Sequence, residues 1–128
     1  MDWRDGALGV AGIIGCAVAI AHGVLVQRLM VRPFQELAAT QFASSIRRLV
    51  PGLLQFSTFN WFIGGLALVV GAYALGWEAR LAIGMLVGSS YLFGALGNLW
   101  ATRGRHPGWV LYAAAVLLII YGVGGPSG

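Results

Sequence analysis

The chain has 128 residues, of which 59% are hydrophobic and only 9% charged, with a formal net charge of +4. A soluble domain carries roughly 25% charged residues. The deficit, together with 20 glycines and 5 tryptophans, argues against a water-facing surface and for a polytopic helical membrane protein. The basic residues are all arginines flanking apolar stretches, which speaks against nucleic acid as a partner and for anionic membrane lipids.

The first apolar stretch, residues 7–27, meets the ~20 residues that a transmembrane helix needs. Gly12, Cys16, Ala19 and Gly23 share one face, with His22 at its edge. Cys16, the single cysteine, allows no internal disulfide and no cysteine-cluster metal site. Ile13-Ile14-Gly15-Cys16 and Ala19-Ile20-Ala21 resemble processing signals. Those signals need a basic leader, whereas Asp2-Trp3-Arg4-Asp5 holds more acid than base, so no processing is expected.

Between residues 34 and 50, Phe34, Leu37, Ala38, Phe42, Ile46 and Leu49 recur at helical spacing opposite Gln35, Glu36, Thr40, Ser44, Arg47 and Arg48. This pattern predicts an amphipathic helix lying in the membrane interface, with Arg47 and Arg48 near lipid phosphates.

The second span, residues 51–75, opens on Pro51, which suits a helix start. It contains Phe56-Ser57-Thr58-Phe59-Asn60-Trp61-Phe62, and Ser57, Asn60, Gly64, Ala67 or Leu68, and Gly71 line one face. An unpaired amide is costly in hydrocarbon, so Asn60 is expected to point into the bundle and Phe59 and Phe62 outwards. Ser57 and Thr58 are expected to bond back to their own helix. Phe56-Ser57-Thr58-Phe59 echoes a stretch of the small fluoride channels. There it lies in the third span behind a Gly-Gly pair, whereas here Gly64-Gly65 follows it in the second, and no family is claimed.

In the third span, residues 79–100, Gly84, Gly88, Tyr91, Ala95, Asn98 and then Thr102 fall on one face. Gly84 and Gly88 form a GxxxG step, and Gly94 and Gly97 thin an adjacent face, so this span is expected to be the packing centre. The fourth, residues 108–123, follows Pro107 and is framed by Trp109 and Tyr121 as interface anchors. The expectation is an all-α, single-domain bundle of four transmembrane helices over residues 1–128, with an interfacial helix between the first two.

Arg28, Arg32, Arg47, Arg48, Arg103 and Arg105 lie in the first and third connections, against Arg4 and Arg80 elsewhere. The positive-inside rule puts both termini outside a membrane, expected to be a bacterial inner membrane. His22, Ser57, Asn60, Trp61, Tyr91 and Asn98 then gather in or near its inner half as a candidate ligand site. Arg47, Arg48, Arg103 and Arg105 are candidate headgroup contacts. Asn and His also serve as interhelical glue, so packing competes with ligand binding as an explanation.

No acidic residue lies inside a span, which removes the usual carboxylate of proton-coupled transport and general-base catalysis and argues against the small multidrug transporters. No catalytic residue, metal site or cofactor is assigned. Three readings follow: a non-enzymatic protein that binds or passes a lipid, amphiphile or small ion; an accessory subunit of a larger membrane complex; or a small lipid- or isoprenoid-directed enzyme with His22 as acid/base. Self-association or membership of a larger complex is expected in the first two.

Overall fold

A computed structural model of the chain describes residues 2–124. Its order is α1 (Trp3–Val26), a π-helical turn (Gln27–Val31), α2 (Arg32–Ala38), α3 (Ser44–Ala74), α4 (Trp77–Thr102) and α5 (Gly108–Gly122). The described residues are helices and short turns, without a strand.

Three helical stretches, Trp3–Ala38, Ser44–Ala74 and Trp77–Thr102, are long and apolar enough to cross a membrane. The helix Gly108–Gly122 is apolar but has 15 residues. At 1.5 Å per residue it is ~22 Å long, short of the ~30 Å hydrocarbon core. The expected fourth span is therefore a helix, but a shorter one than its three neighbours.

Neighbouring helices run antiparallel in a closed ring, with α1 against α3 and α5, and α4 against α3 and α5. Large apolar side chains cover the outside: Trp3, Leu86, Phe93 and Trp100 are at least three-quarters exposed. Small residues occupy the contacts. Buried positions on α5 are Gly108, Tyr112, Ala115, Ile119 and Gly122, one stripe of a helix. The core combines Leu8, Ala11, Leu68, Ala72, Tyr91, Ala95, Tyr112, Ala115 and Ile119. Small-in, large-out packing is what apolar solvent permits, because close backbone approach rather than exclusion of water holds the helices together.

The closest crossing joins α1 to α3. A Cβ on Gly12 would stand 2.5 Å from the Gly65 carbonyl oxygen, and one on Gly65 2.6 Å from the Gly12 carbonyl oxygen. Neither position has room for a side chain. Cys16 Sγ donates to the Phe62 carbonyl at 3.5 Å, one turn further along. The packing centre is thus α1, which makes its broadest contact with α3, and not the third span. Of the GxxxG pair, Gly84 is buried against Val123 and Ile119, whereas a Cβ on Gly88 would make only an ordinary contact with Ile119 at 3.6 Å. Both glycines line one open groove, but only Gly84 is buried.

Residues 34–50 do not form a separate helix. Residues 34–38 finish α2, 39–43 make a turn, and 44–50 are the first turns of α3. Apolar periodicity cannot distinguish one helix from two joined by a turn. Phe34 and Phe42, eight residues apart and ~12 Å apart along a straight helix, instead meet across the turn with ring centroids 6.0 Å apart. Pro51 lies inside α3 rather than at its start, so the Arg47 carbonyl loses its usual helical donor. The π turn carries α1 past Gln27 into α2. Pro33 sits just beyond it, where a widened turn relieves the crowding of its ring against the carbonyl four residues back.

The two connections at one end of the ring differ in height. Ser44 lies ~20 Å before Ser57 along α3, whereas Thr102 lies only ~6 Å beyond Asn98 on α4. The α2–α3 hairpin therefore extends past the α4–α5 turn. That turn closes with Arg103 and Gly104 both at positive φ, 51° and 75°, and the Gly104 N–H donates to the Leu99 carbonyl at 3.0 Å. A left-handed arginine is uncommon, and its neighbour is a glycine, which carries no such strain.

Candidate functional site

Beside the recessed α4–α5 turn, α1 and α5 part to leave a cleft of about 330 Å³. Val18, Ala21, Leu25 and Leu111 form its apolar walls, and His22, Asn98, His106 and Tyr112 supply polar groups. The wall on α1 follows from the helical stagger of Val18, Ala21, His22 and Leu25. On the other side, Gly108 lets the start of α5 come close to Asn98, whose Nδ2 would stand 3.3 Å from a Cβ there.

Each polar group has a distinct standing. His22 Nε2 is 3.2 Å from Ser57 Oγ, and Ser57 Oγ is 3.4 Å from the Leu54 carbonyl. The hydroxyl has one proton. With that proton on Leu54, the His22 Nε2–H donates to Ser57 and Nδ1 is left as an acceptor. His106 Nδ1 accepts the Gly108 N–H at 3.1 Å, which leaves Nε2–H as a donor on the neutral ring. Thr102 Oγ1 donates to the Asn98 carbonyl at 2.7 Å, tying the end of α4. Two buried polar atoms of the cleft residues, Asn98 Oδ1 and Tyr112 Oη, have no protein partner.

An aromatic cluster backs this end of the site. His22 meets Trp61 edge-on with centroids 4.7 Å apart, Trp61 meets Tyr112 at 4.9 Å, and Tyr112 meets Tyr91 at 4.9 Å. Tyr91 is fully buried, and its hydroxyl donates to the Trp61 carbonyl at 3.0 Å. Tyr91 therefore braces α3 against α4 and also crowds Gly15 of α1.

Of the candidate ligand residues, His22 and Asn98 line the cleft, while Ser57 and Trp61 contact His22. Tyr91 stands behind Tyr112. Asn60 is a correction: it is exposed and lines an outward groove between α3 and α4 with Gly64, Ala67 and Ser90. The buried α3 residues are Gly65, Leu68, Gly71 and Ala72, so Leu68 and Gly71 of the expected face are buried, while Gly64 is half-buried and Asn60 exposed. Thr58 Oγ1 is also without a partner, against the expectation that it bonds back. Phe59 points outwards as expected, but Phe62 is half-buried.

Arg47 and Arg48 line a shallow recess with Gln35 and Ser44. Arg103 and Arg105 are exposed on the α4–α5 turn and do not line the cleft. Sequence reasoning missed Tyr112, although its place between Gly108 and Ala115 on one stripe was available. It also missed Gln55, whose Nε2 donates to the Gly23 carbonyl at 3.0 Å, just before the π turn. His106, in the third connection, lines the cleft together with His22 and Asn98. No family model, no curated protein and no solved structure matches the chain.

Proposed function

We propose that this chain is a four-span, non-enzymatic membrane protein that holds an amphiphile in the cleft between α1 and the α4–α5 turn, at the inner leaflet. The observation that carries this reading is a cleft of about 330 Å³ with apolar walls and with His22, Asn98 and His106 among its lining residues. A polar head would meet those polar side chains while its tail follows Val18, Leu25 and Leu111.

The orientation rests on arginine. Arg28, Arg32, Arg47, Arg48, Arg103 and Arg105 belong to one end of the ring. At the other end Arg80 pairs with Asp5, which further reduces the uncompensated positive charge there. Both termini are then extracytoplasmic, and α5 spans by drawing its loop into the inner interface. Arg47 and Arg48 serve lipid phosphates at the tip of the protruding hairpin. In a Cys16→Ser background, Ser44→Cys should resist an impermeant thiol reagent applied from outside and Trp3→Cys should react. The reverse pattern would invert the topology.

The amphiphile reading is tested by melting the delipidated protein with added long-chain lipids. Binding to the folded state raises its Tm, and Ala21→Trp, which fills the cleft, should abolish that rise while the protein stays folded. A rise that persists in the filled variant would refute the site.

A second reading, self-association or docking as an accessory subunit, is favoured by Asn60. Its exposed amide in the α3–α4 groove would gain a partner from a neighbouring helix. Asn60→Leu should then shift the mass measured by light scattering in detergent towards the monomer.

A further inference from the structure

We infer that two copies of this chain pair in parallel through the outer face of α3, with the Asn60 side chains bonding each other across a two-fold axis. The inference rests on the self-association reading of Asn60 and adds the partner and the contact.

Leu53, Phe56, Asn60, Ile63, Ala67 and Val70 follow one another at alternating steps of three and four residues, the spacing of the seam in a two-stranded coiled coil. This seam faces away from the bundle, for Leu53, Phe56, Ile63 and Val70 are 62%, 59%, 45% and 51% exposed. Gly65 and Ala72, buried in the bundle, fall on the opposite side of the helix. Apolar residues alone call for no partner, because acyl chains cover them equally well. Asn60 does call for one. Its side chain is exposed and has no hydrogen-bond partner among the described residues. It lies ~21 Å from the Ala74 end of α3, within a hydrocarbon core of ~30 Å measured from that end. Acyl chains offer neither donor nor acceptor at that depth, so the group that meets Asn60 comes from protein.

Symmetry selects a second copy. Two chains inserted in the same orientation, paired about an axis along the membrane normal, bring each residue to its own counterpart at equal depth. A polar residue is satisfied there only if it both donates and accepts. An asparagine amide does both, whereas a charged side chain would repel its copy. The seam is thus electrically self-complementary: it carries no charge, and its one strong dipole pairs with itself. A single asparagine among apolar seam positions also fixes the register of a parallel pair. Gly64 and Ala67, beside Asn60 in the α3–α4 groove, leave room for close approach.

The test uses the purified full chain in a Cys16→Ser background, reconstituted at low density in dioleoylphosphatidylcholine liposomes. Oxidation with copper phenanthroline should link Ile63→Cys into a species of twice the chain mass. It should not link Leu117→Cys, on the outer surface of α5 and 69% exposed. Energy transfer between chains labelled at Trp3→Cys should show association about tenfold weaker in Asn60→Leu, the factor expected for a lost pair of interhelical hydrogen bonds, and nearly restored in Asn60→Gln. Asn60 is exposed, and if the Leu variant still does not fold, the linking comparison decides with Asn60 in place. Equal linking at positions 63 and 117, or association unchanged by Asn60→Leu, overturns the inference. Association that Asn60→Leu weakens without any link at position 63 overturns the parallel seam and leaves the self-association reading standing. Ile63→Cys linked in native membranes to a different polypeptide, with no association of the purified chain, also overturns the inference and leaves docking as a subunit. No association and no link in either setting removes the Asn60 reading itself.

Discussion

The helix α1 meets its two neighbours in opposite ways. Against α3 it is closed: Gly12 and Gly65 bring backbone onto backbone, and a Cβ on either would fall within 2.6 Å of the partner's carbonyl oxygen. Against the start of α5 it is open, with a cleft of about 330 Å³ lined in part by His22, Asn98, His106 and Tyr112. The first contact uses glycine to hold helices together in a solvent where hydrophobic exclusion is absent. The second gives up that contact where His22, Asn98 and Tyr112 gather. The contrast separates the contact that packs the bundle from the one that is left open, where we propose that a ligand sits.

The sharpest way to break that contrast is to place equal bulk on both sides. Gly12→Leu should abolish recovery of monodisperse protein, because the obstacle is backbone and overpacking already costs about 1–3 kcal/mol where side chains can yield. Ala21→Leu, in the open cleft, should melt close to the unmodified protein. Similar melting temperatures for the two would remove the distinction.

A smaller effect sharpens it at the α4–α5 contact. Gly84→Leu, against Val123 and Ile119, should lose about 1–3 kcal/mol in chemical denaturation, and Gly88→Leu distinctly less. The ordering reverses what the GxxxG spacing alone leads one to expect of Gly88.

Smaller still are two hydroxyl deletions with opposite signs. Tyr91→Phe loses the bond to the Trp61 carbonyl and should cost about 1 kcal/mol. Tyr112→Phe removes a buried hydroxyl with no protein partner and should leave the ligand-free protein as stable or more so. Equal losses in the same denaturation assay would mean that Tyr112 is bonded within the protein. The least effect is expected from Asp5→Asn. Its ion pair with Arg80 is partly solvent-exposed, so its loss should appear only as a small fall in Tm that salt diminishes.

The closed contact was largely legible in the sequence. Gly12, Cys16, Ala19 and Gly23 repeat at helical spacing, and small residues in an apolar segment report close approach directly. Helical character was equally legible from apolar length, although the turn at residues 39–43 was not, because Phe34 and Phe42 fit one helical face as well as a contact across a turn. The open contact was half legible. His22 and Asn98 stood out as polar groups in apolar spans, but joining them to His106 and Tyr112 requires the height and rotation of α5 against α1, which periodicity within one helix does not encode. Asn60 failed for a related reason. Adjacent Gly64 and Gly65 mark two faces of α3 about 100° apart, and composition does not say which one meets α1.

The most direct test of the central claim, that the α1–α5 cleft holds an amphiphile, is native mass spectrometry of the protein released from membrane with minimal detergent. The account predicts a stoichiometric lipid-like adduct on the unmodified chain that is lost in Ala21→Trp and kept in Leu86→Trp, a variant on the exposed outer surface of α4. Adducts of equal mass and occupancy on all three proteins, or none on any of them, would contradict it.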